Sequence, residues 1–139
     1  LRDRVCAVSN KTHYNEMNVL SMHALIGAYQ PQGYEWVDEL NQVLSGNIEY
    51  FCSYVDEHFE GVSYSRLQGT YMVFLDCTEW CREHGRDIQW LLDEGARVGV
   101  GYQDGRPFHG PCHIRVNLAL PLSRVKEACE RLDRYVFGV

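Results

Sequence analysis

The chain has 139 residues, 45% hydrophobic and 23% charged, with a net charge of −6. That length can bury a real core as one domain, and the composition is that of an ordinary globular chain. The two lysines stand apart, the arginines are spread among acids, and no apolar run approaches the ~20 residues of a membrane span, so neither a nucleic-acid partner nor a membrane segment is expected.

Taken in order, residues 2–14 read as a weak helical piece, with Val5, Val8 and Tyr14 at loose helical spacing. Leu1-Arg2-Asp3-Arg4 leads into a polar segment, which is not a signal-peptide pattern. Leu1 is not a start methionine, and the chain opens as if already inside a helix, so a fragment of a longer protein is the expectation. From Asn18 onward, Val19, Leu20, Met22, His23, Leu25, Ile26 and Tyr29 make a nearly all-round apolar helix, which predicts burial. Pro31-Gln32-Gly33 should end it. The clearest element follows. Trp36, Val37, Leu40, Val43, Leu44, Asn47, Ile48, Phe51, Tyr54, Val55 and Phe59 keep helical spacing and predict one long helix over 36–59. Gly46 weakens it by roughly 1 kcal/mol against alanine, and Gly61 is the expected cap residue.

The period then changes to two. Residues 62–67 read as a short strand, Gln68-Gly69 as a turn, and 70–76 as a strand rich in β-formers. Residues 87–94 form a compact helix with Asp87 as a possible cap, and 97–101 read as another strand. A Gly/Pro-rich loop over 103–111 leads to the strand 112–119. There Cys112, Ile114, Val116 and Leu118 share one side, and His113, Arg115, Asn117 and Ala119 the other. An arginine centred in such a strand suits an anion or an open cleft better than a core. Ser123 should cap a last helix with Val125, Ala128, Cys129, Leu132 and Val136 facing inward. The fold class is α+β: a mainly antiparallel sheet of three to four strands with helices packed on one face.

The six cysteines, at positions 6, 52, 77, 81, 112 and 129, show no CxxC or finger-like spacing and read as reduced, mostly buried thiols. Cys77 and Cys81 share one helical turn and read as two ordinary thiols. The six histidines are dispersed, so no metal site is expected. Ser123-Arg124-Val125-Lys126 spells S-x-x-K, but the serine follows a proline and opens an amphipathic helix, which leaves Lys126 on an exposed face.

Five segments, in this order and spacing, carry a resemblance: Tyr34-Glu35-Trp36 with Asn47 to Tyr54, Glu57 to Gly61, Gly69 to Asp76, Gly99-Val100 with the loop through Phe108-His109-Gly110, and Ile114-Arg115-Val116-Asn117-Leu118-Ala119 before Pro121. Together they resemble the C-terminal portion of fold-type I pyridoxal-phosphate enzymes. The branch they resemble most is that of class I/II aminotransferases which includes cystathionine β-lyase-type C–S lyases. The resemblance implies that 1–139 is a single, small C-terminal domain of a larger enzyme, with 1–33 the start of the inter-domain helical connection.

It further implies that Arg115 binds the α-carboxylate of an amino-acid substrate; the alternative is an Arg115 paired to a local acid. Phe108 and His109 stand in a loop used near substrate, and Tyr71, near the same mouth, is read first as core packing. The run Gln103-Asp104-Gly105-Arg106 departs from the commoner Pro-Gly loop. Asn117 is read as supporting its strand, and Met17-Asn18 as starting a segment that in relatives reaches a partner subunit. The cofactor, pyridoxal 5′-phosphate, would be held upstream, because neither Lys11 nor Lys126 stands where the family's Schiff-base lysine does. The isolated chain is therefore expected to bind no cofactor and to be inactive. Its missing partner is the large cofactor-binding domain, and the parent is expected to be a cytoplasmic homodimer. Two rival expectations are a free-standing ligand-binding or interaction domain and an inactive paralogue.

Overall fold

The computed structural model describes residues 1–12 and 17–139. Tyr14, assigned above to the first helix, lies outside the described residues. The chain divides into two compact units, Leu1–Leu40 and Asn41–Val139. This boundary falls beyond the 1–33 connection read from the sequence.

The first unit holds α1 (Arg2–Thr12), α2 (Val19–Ala28) and the start of α3 (Pro31–His58). Asn18 caps α2, its side-chain oxygen accepting from the Ser21 N–H at 2.9 Å. Pro31 does not only end α2. It occupies the first turn of α3, where a missing N–H costs nothing and its fixed φ suits the helix. The burial expected of α2 is not found: no residue of α1 or α2 is buried, and Leu20 is 82% exposed. An apolar sequence gives a helix something to bury, but a partner surface has to be present to bury it.

In the second unit α3 continues as the single long helix expected, with Asn47, Phe51 and Val55 buried at four-residue spacing. Gly61 lies in the turn after it, where its carbonyl accepts the Trp80 N–H at 3.0 Å. Strands β1 (Ser63–Tyr64), β2 (Met72–Asp76), β3 (Gln103–Asp104) and β4 (His113–Asn117) form an antiparallel sheet in the order β1-β2-β4-β3. The strand predicted over 62–67 shrinks to Ser63–Tyr64. Helices α4 (Thr78–His84), α5 (Ile88–Arg97) and α6 (Leu122–Leu132) complete the unit, and a π-helical turn, Asp133–Phe137, extends α6.

Alternation sorts the sheet's two faces. Val73, Leu75, Ile114, Val116 and Leu118 are buried and join Phe51, Val55, Trp80, Leu91, Val125 and Leu132 in one core. Burying each such side chain is worth roughly 1.5–3 kcal/mol. The polar interruptions are satisfied: the Trp80 indole donates to the Phe137 carbonyl at 3.2 Å, and Tyr54 donates to Asp133 at 3.1 Å.

Two local readings are corrected. Residues 97–101 are not a strand, because α5 runs through Arg97 and then stops in a paired-bond turn. There Val100 N–H donates to Gly95 O at 2.8 Å and Gly99 N–H to Ala96 O at 3.0 Å. Gly99, at φ 77°, supplies the left-handed residue this ending needs. Ser123 is not a cap: α6 begins at Leu122 behind Pro121, and no side chain caps it. The proline's fixed φ and the apolar stripe of α6 suffice to start the helix there. Asp87 does cap α5, accepting from the Trp90 N–H at 2.8 Å.

Candidate functional site

The site grows from the face of the sheet that the core leaves alone. On β2 and β4 the positions between the buried ones are Met72, Phe74, Asp76, His113, Arg115 and Asn117. Phe74 stands opposite Arg115 in the β2–β4 register, and Gln103 stands opposite it in β3–β4. The central arginine is thus flanked by an aromatic and an amide, both set by strand pairing.

Its guanidinium uses both kinds of neighbour. Arg115 Nη1 donates to Gln103 Oε1 at 3.1 Å, and its Cζ lies 4.4 Å from the centre of the Phe108 ring. Among the described residues no carboxylate pairs with it. The nearby acid is engaged elsewhere: Asp104 receives the Arg106 guanidinium at 2.7 Å and the Arg106 backbone N–H at 2.9 Å. Those bonds hold the Asp104 carboxyl below its ordinary value. Arg106 also reaches Gln89 at 3.0 Å. The local-acid alternative for Arg115 therefore finds no support in the described residues. Half-buried, bonded to Gln103 and stacked on Phe108, Arg115 offers a planar guanidinium of the kind that suits a carboxylate.

The Phe108 loop is shaped by short turns. Residues Arg106–Phe108 form a 3₁₀ turn, closed by His109 in the left-handed region at φ 63°. That conformation costs a non-glycine residue of order 1 kcal/mol and fixes where Phe108 leaves the loop. Gly110 backs it closely. A Cβ there would lie 2.5 Å from the Phe74 ring and 2.6 Å from His113 Cβ, so only glycine lets the loop lie down on the sheet. The Phe74 and His113 rings pack at 4.7 Å beneath it. On the far side Asn47, itself 1% exposed, fastens the exit of β4. Its amide donates to Leu118 O at 2.9 Å and Leu120 O at 2.7 Å. Asn117 accepts from the Ala119 N–H at 2.8 Å, just past the end of β4.

Of the residues singled out in the sequence, Arg115 and Phe108 come together. His109 is exposed at the loop's end. Tyr71 is 41% exposed, against the expectation of core packing, because it precedes β2 in a bent segment and only its carbonyl, accepting from Leu118 N–H at 2.9 Å, joins the sheet. Gln103 and Asn47 were not read as site residues. An asparagine in the apolar row with Phe51 and Val55 is the signal that marks the second; pairing across β3–β4 leaves no local signal for the first.

The second unit has a single lysine, Lys126, exposed on the outer face of α6 with its ammonium over the Tyr50 ring at 5.1 Å. Lys11 is exposed in the last turn of α1. Among the described residues no group of His, Cys, Asp or Glu could hold a metal ion, and no helix is long and apolar enough to cross a membrane.

No family model matches the chain. It is 32% identical over 122 residues to a protein of Mycobacterium tuberculosis described as "Putative cystathionine beta-lyase", covering 73% of this chain and 29% of that protein. In fold it matches a PLP-bound C–S lyase from Staphylococcus hominis with a TM-score of 0.77 at 22% identity, covering 91% of this chain and 33% of the lyase. A PLP-bound aminotransferase, described as putative, from Clostridium difficile 630 matches with a TM-score of 0.78 at 23% identity, over 91% of this chain and 32% of its own. The α+β architecture is that of fold-type I pyridoxal-phosphate enzymes. In sequence and in fold the chain resembles the aminotransferase and cystathionine β-lyase-like side of that family, as a C-terminal portion of such an enzyme. It spans 29% of the length of the curated relative it matches.

Proposed function

We propose that residues 1–139 are the small, substrate-side domain of a pyridoxal-phosphate enzyme acting on an amino acid, by transamination or by β-elimination from a sulfur amino acid. Arg115 is the residue that binds the substrate's α-carboxylate. The observation that carries this reading is a guanidinium on the open sheet face, held by Gln103 and Phe108, with no carboxylate paired to it among the described residues. Phe108 borders the same carboxylate site, with His109 and Tyr71 further out at its mouth. The cofactor and its lysine belong to the large domain of the parent, which we read as a cytoplasmic homodimer. Alone, the 139-residue chain is inactive and binds no cofactor.

The test is Arg115→Lys in the full-length protein. It keeps the charge and loses the two-pronged geometry, so kcat/KM for the amino acid should fall by an amount equivalent to roughly 2–5 kcal/mol, with cofactor absorbance unchanged. Unchanged kinetics would return Arg115 to a structural role. For the isolated chain, incubation with pyridoxal phosphate and borohydride should leave Lys11 and Lys126 unmodified. A stoichiometric adduct at either would misplace the cofactor in this reading.

A further inference from the structure

Three thiols from two separate stretches of sequence meet at one end of the sheet. The β2–β4 register ends on Asp76 opposite His113, so the next positions, Cys77 and Cys112, also face each other, and the Cys77 N–H donates to Cys112 O at 2.9 Å. Alternation puts both on the core side, after Leu75 and before Ile114. Cys77 is also the N-cap residue of α4, and Cys81 stands one turn along that helix, its N–H donating to Cys77 O at 2.9 Å. After burial, Cys112 is the next of the groups that push the Cys81 thiol up, so the two thiols belong to one cluster. All three are reduced. Access differs sharply: Cys77 is 0% and Cys81 5% exposed, whereas Cys112 is only half-buried.

We propose that Cys112 and Cys81 form a peroxide-sensitive pair, in which Cys112 meets the oxidant and Cys81 closes an intramolecular disulfide. In the first step the Cys112 thiolate attacks one oxygen of a hydroperoxide. The O–O bond breaks, hydroxide or alkoxide leaves, and Cys112 becomes a sulfenic acid. In the second, the Cys81 sulfur attacks the Cys112 sulfur, the S–O bond breaks, and the Cys81 proton leaves with the hydroxyl as water. With hydrogen peroxide the sum is two thiols plus one peroxide giving one disulfide and two waters.

The assignment of roles follows from burial. An oxidant reaches the half-buried thiol first. Burial first, and then the neighbouring Cys112, push the Cys81 thiol up to about 12, which leaves Cys112 as the thiol that meets the oxidant. Cys77 is the poorer partner because its opposition to Cys112 makes a backbone hydrogen bond, the kind of antiparallel pair whose side chains stand further apart. The bond would tie the first turn of α4 to the entry of the strand that carries Arg115.

The test oxidises the purified, reduced protein with one equivalent of hydrogen peroxide, blocks remaining thiols and maps the tryptic peptides by mass. The expected product joins the peptide ending at Arg82 to the peptide ending at Arg115, two hydrogens lighter than their sum, and dithiothreitol separates them. Cys77 and Cys81 share the first of those peptides, so Cys77→Ser assigns the partner: the cross-link should persist in that variant and vanish in Cys112→Ser. A cross-link lost in Cys77→Ser would overturn the assignment to Cys81. So would a cross-link to exposed Cys6, sulfinic acid at Cys112 without any cross-link, or no thiol loss at all. Since a surviving cross-link in Cys77→Ser identifies Cys81 by itself, misfolding of Cys81→Ser would not affect the result.

Discussion

Two helices of equal length, one in each unit, meet opposite fates. In α5 the apolar residues lie on one side, and Ile88, Leu91 and Gly95 are buried. In α2 they lie all round, and none is buried; Leu25 is 46% exposed and Ile26 54%. The chain holding α5 also supplies its cover, through β3, β4 and the π-helical turn. Apolar content alone therefore measures how much cover a helix calls for, whereas one-sidedness shows that its own chain provides it. Under the reading proposed above, the cover of α2 is the remainder of the parent enzyme.

Substitutions can break or sharpen this contrast. The largest effect should come from Leu91→Ala. Leu91 is 0% exposed, so losing it removes buried surface and leaves a cavity, at a cost of roughly 2–5 kcal/mol. Urea unfolding followed by tryptophan fluorescence reads the change, since Trp80 and Trp90 stack at 5.7 Å within the same unit. A loss below about 1 kcal/mol would mean that the α5 stripe is not part of a packed core.

Asn47→Ala comes next. It removes one buried and one part-buried hydrogen bond, to the Leu118 and Leu120 carbonyls, at a cost of roughly 1–3 kcal/mol. Because those carbonyls follow β4, amide exchange at Ala119 and its neighbours should quicken more than exchange in α5. Uniform quickening would show that Asn47 stabilises the unit as a whole and does not pin the strand's exit. Asp87→Ala follows with about 1 kcal/mol, the usual loss of a helix cap, and Asp87→Asn should restore most of it in the same unfolding assay.

That cap was legible because its signal is local: an aspartate just ahead of a one-sided stripe. The long α3 was legible for the same reason, and so were β2 and β4, whose alternation also put Arg115 on the open face. The misreadings share another cause. Val98-Gly99-Val100 looks like a strand, and only the bonds from Val100 to Gly95 and from Gly99 to Ala96 make it a helix ending. Ser123 looks like a cap until Pro121 starts the helix at Leu122. Tyr71 has strand chemistry but precedes the pairing that would have buried it. At the site, the Phe108 ring reaches Arg115 only through a left-handed His109 and a loop seated on Gly110, and no spacing in the sequence encodes that approach.

The smallest effect expected is the most direct check on the comparison. Leu25→Ala is the substitution made at Leu91, moved to α2. Alanine is at least as good a helix former as leucine, so the helix itself is not weakened. With Leu25 46% exposed, little surface leaves the interior and no cavity opens, so stability should change by less than about 0.5 kcal/mol. The pair of variants differs only in whether the leucine has a packed neighbourhood, and the ratio of their effects measures the difference between the units. A Leu25→Ala loss matching that of Leu91→Ala would show that α2 is packed in solution by this chain or by a second copy of it. Dilution separates those two outcomes, because a loss that depends on protein concentration comes from association and one that does not comes from within the chain.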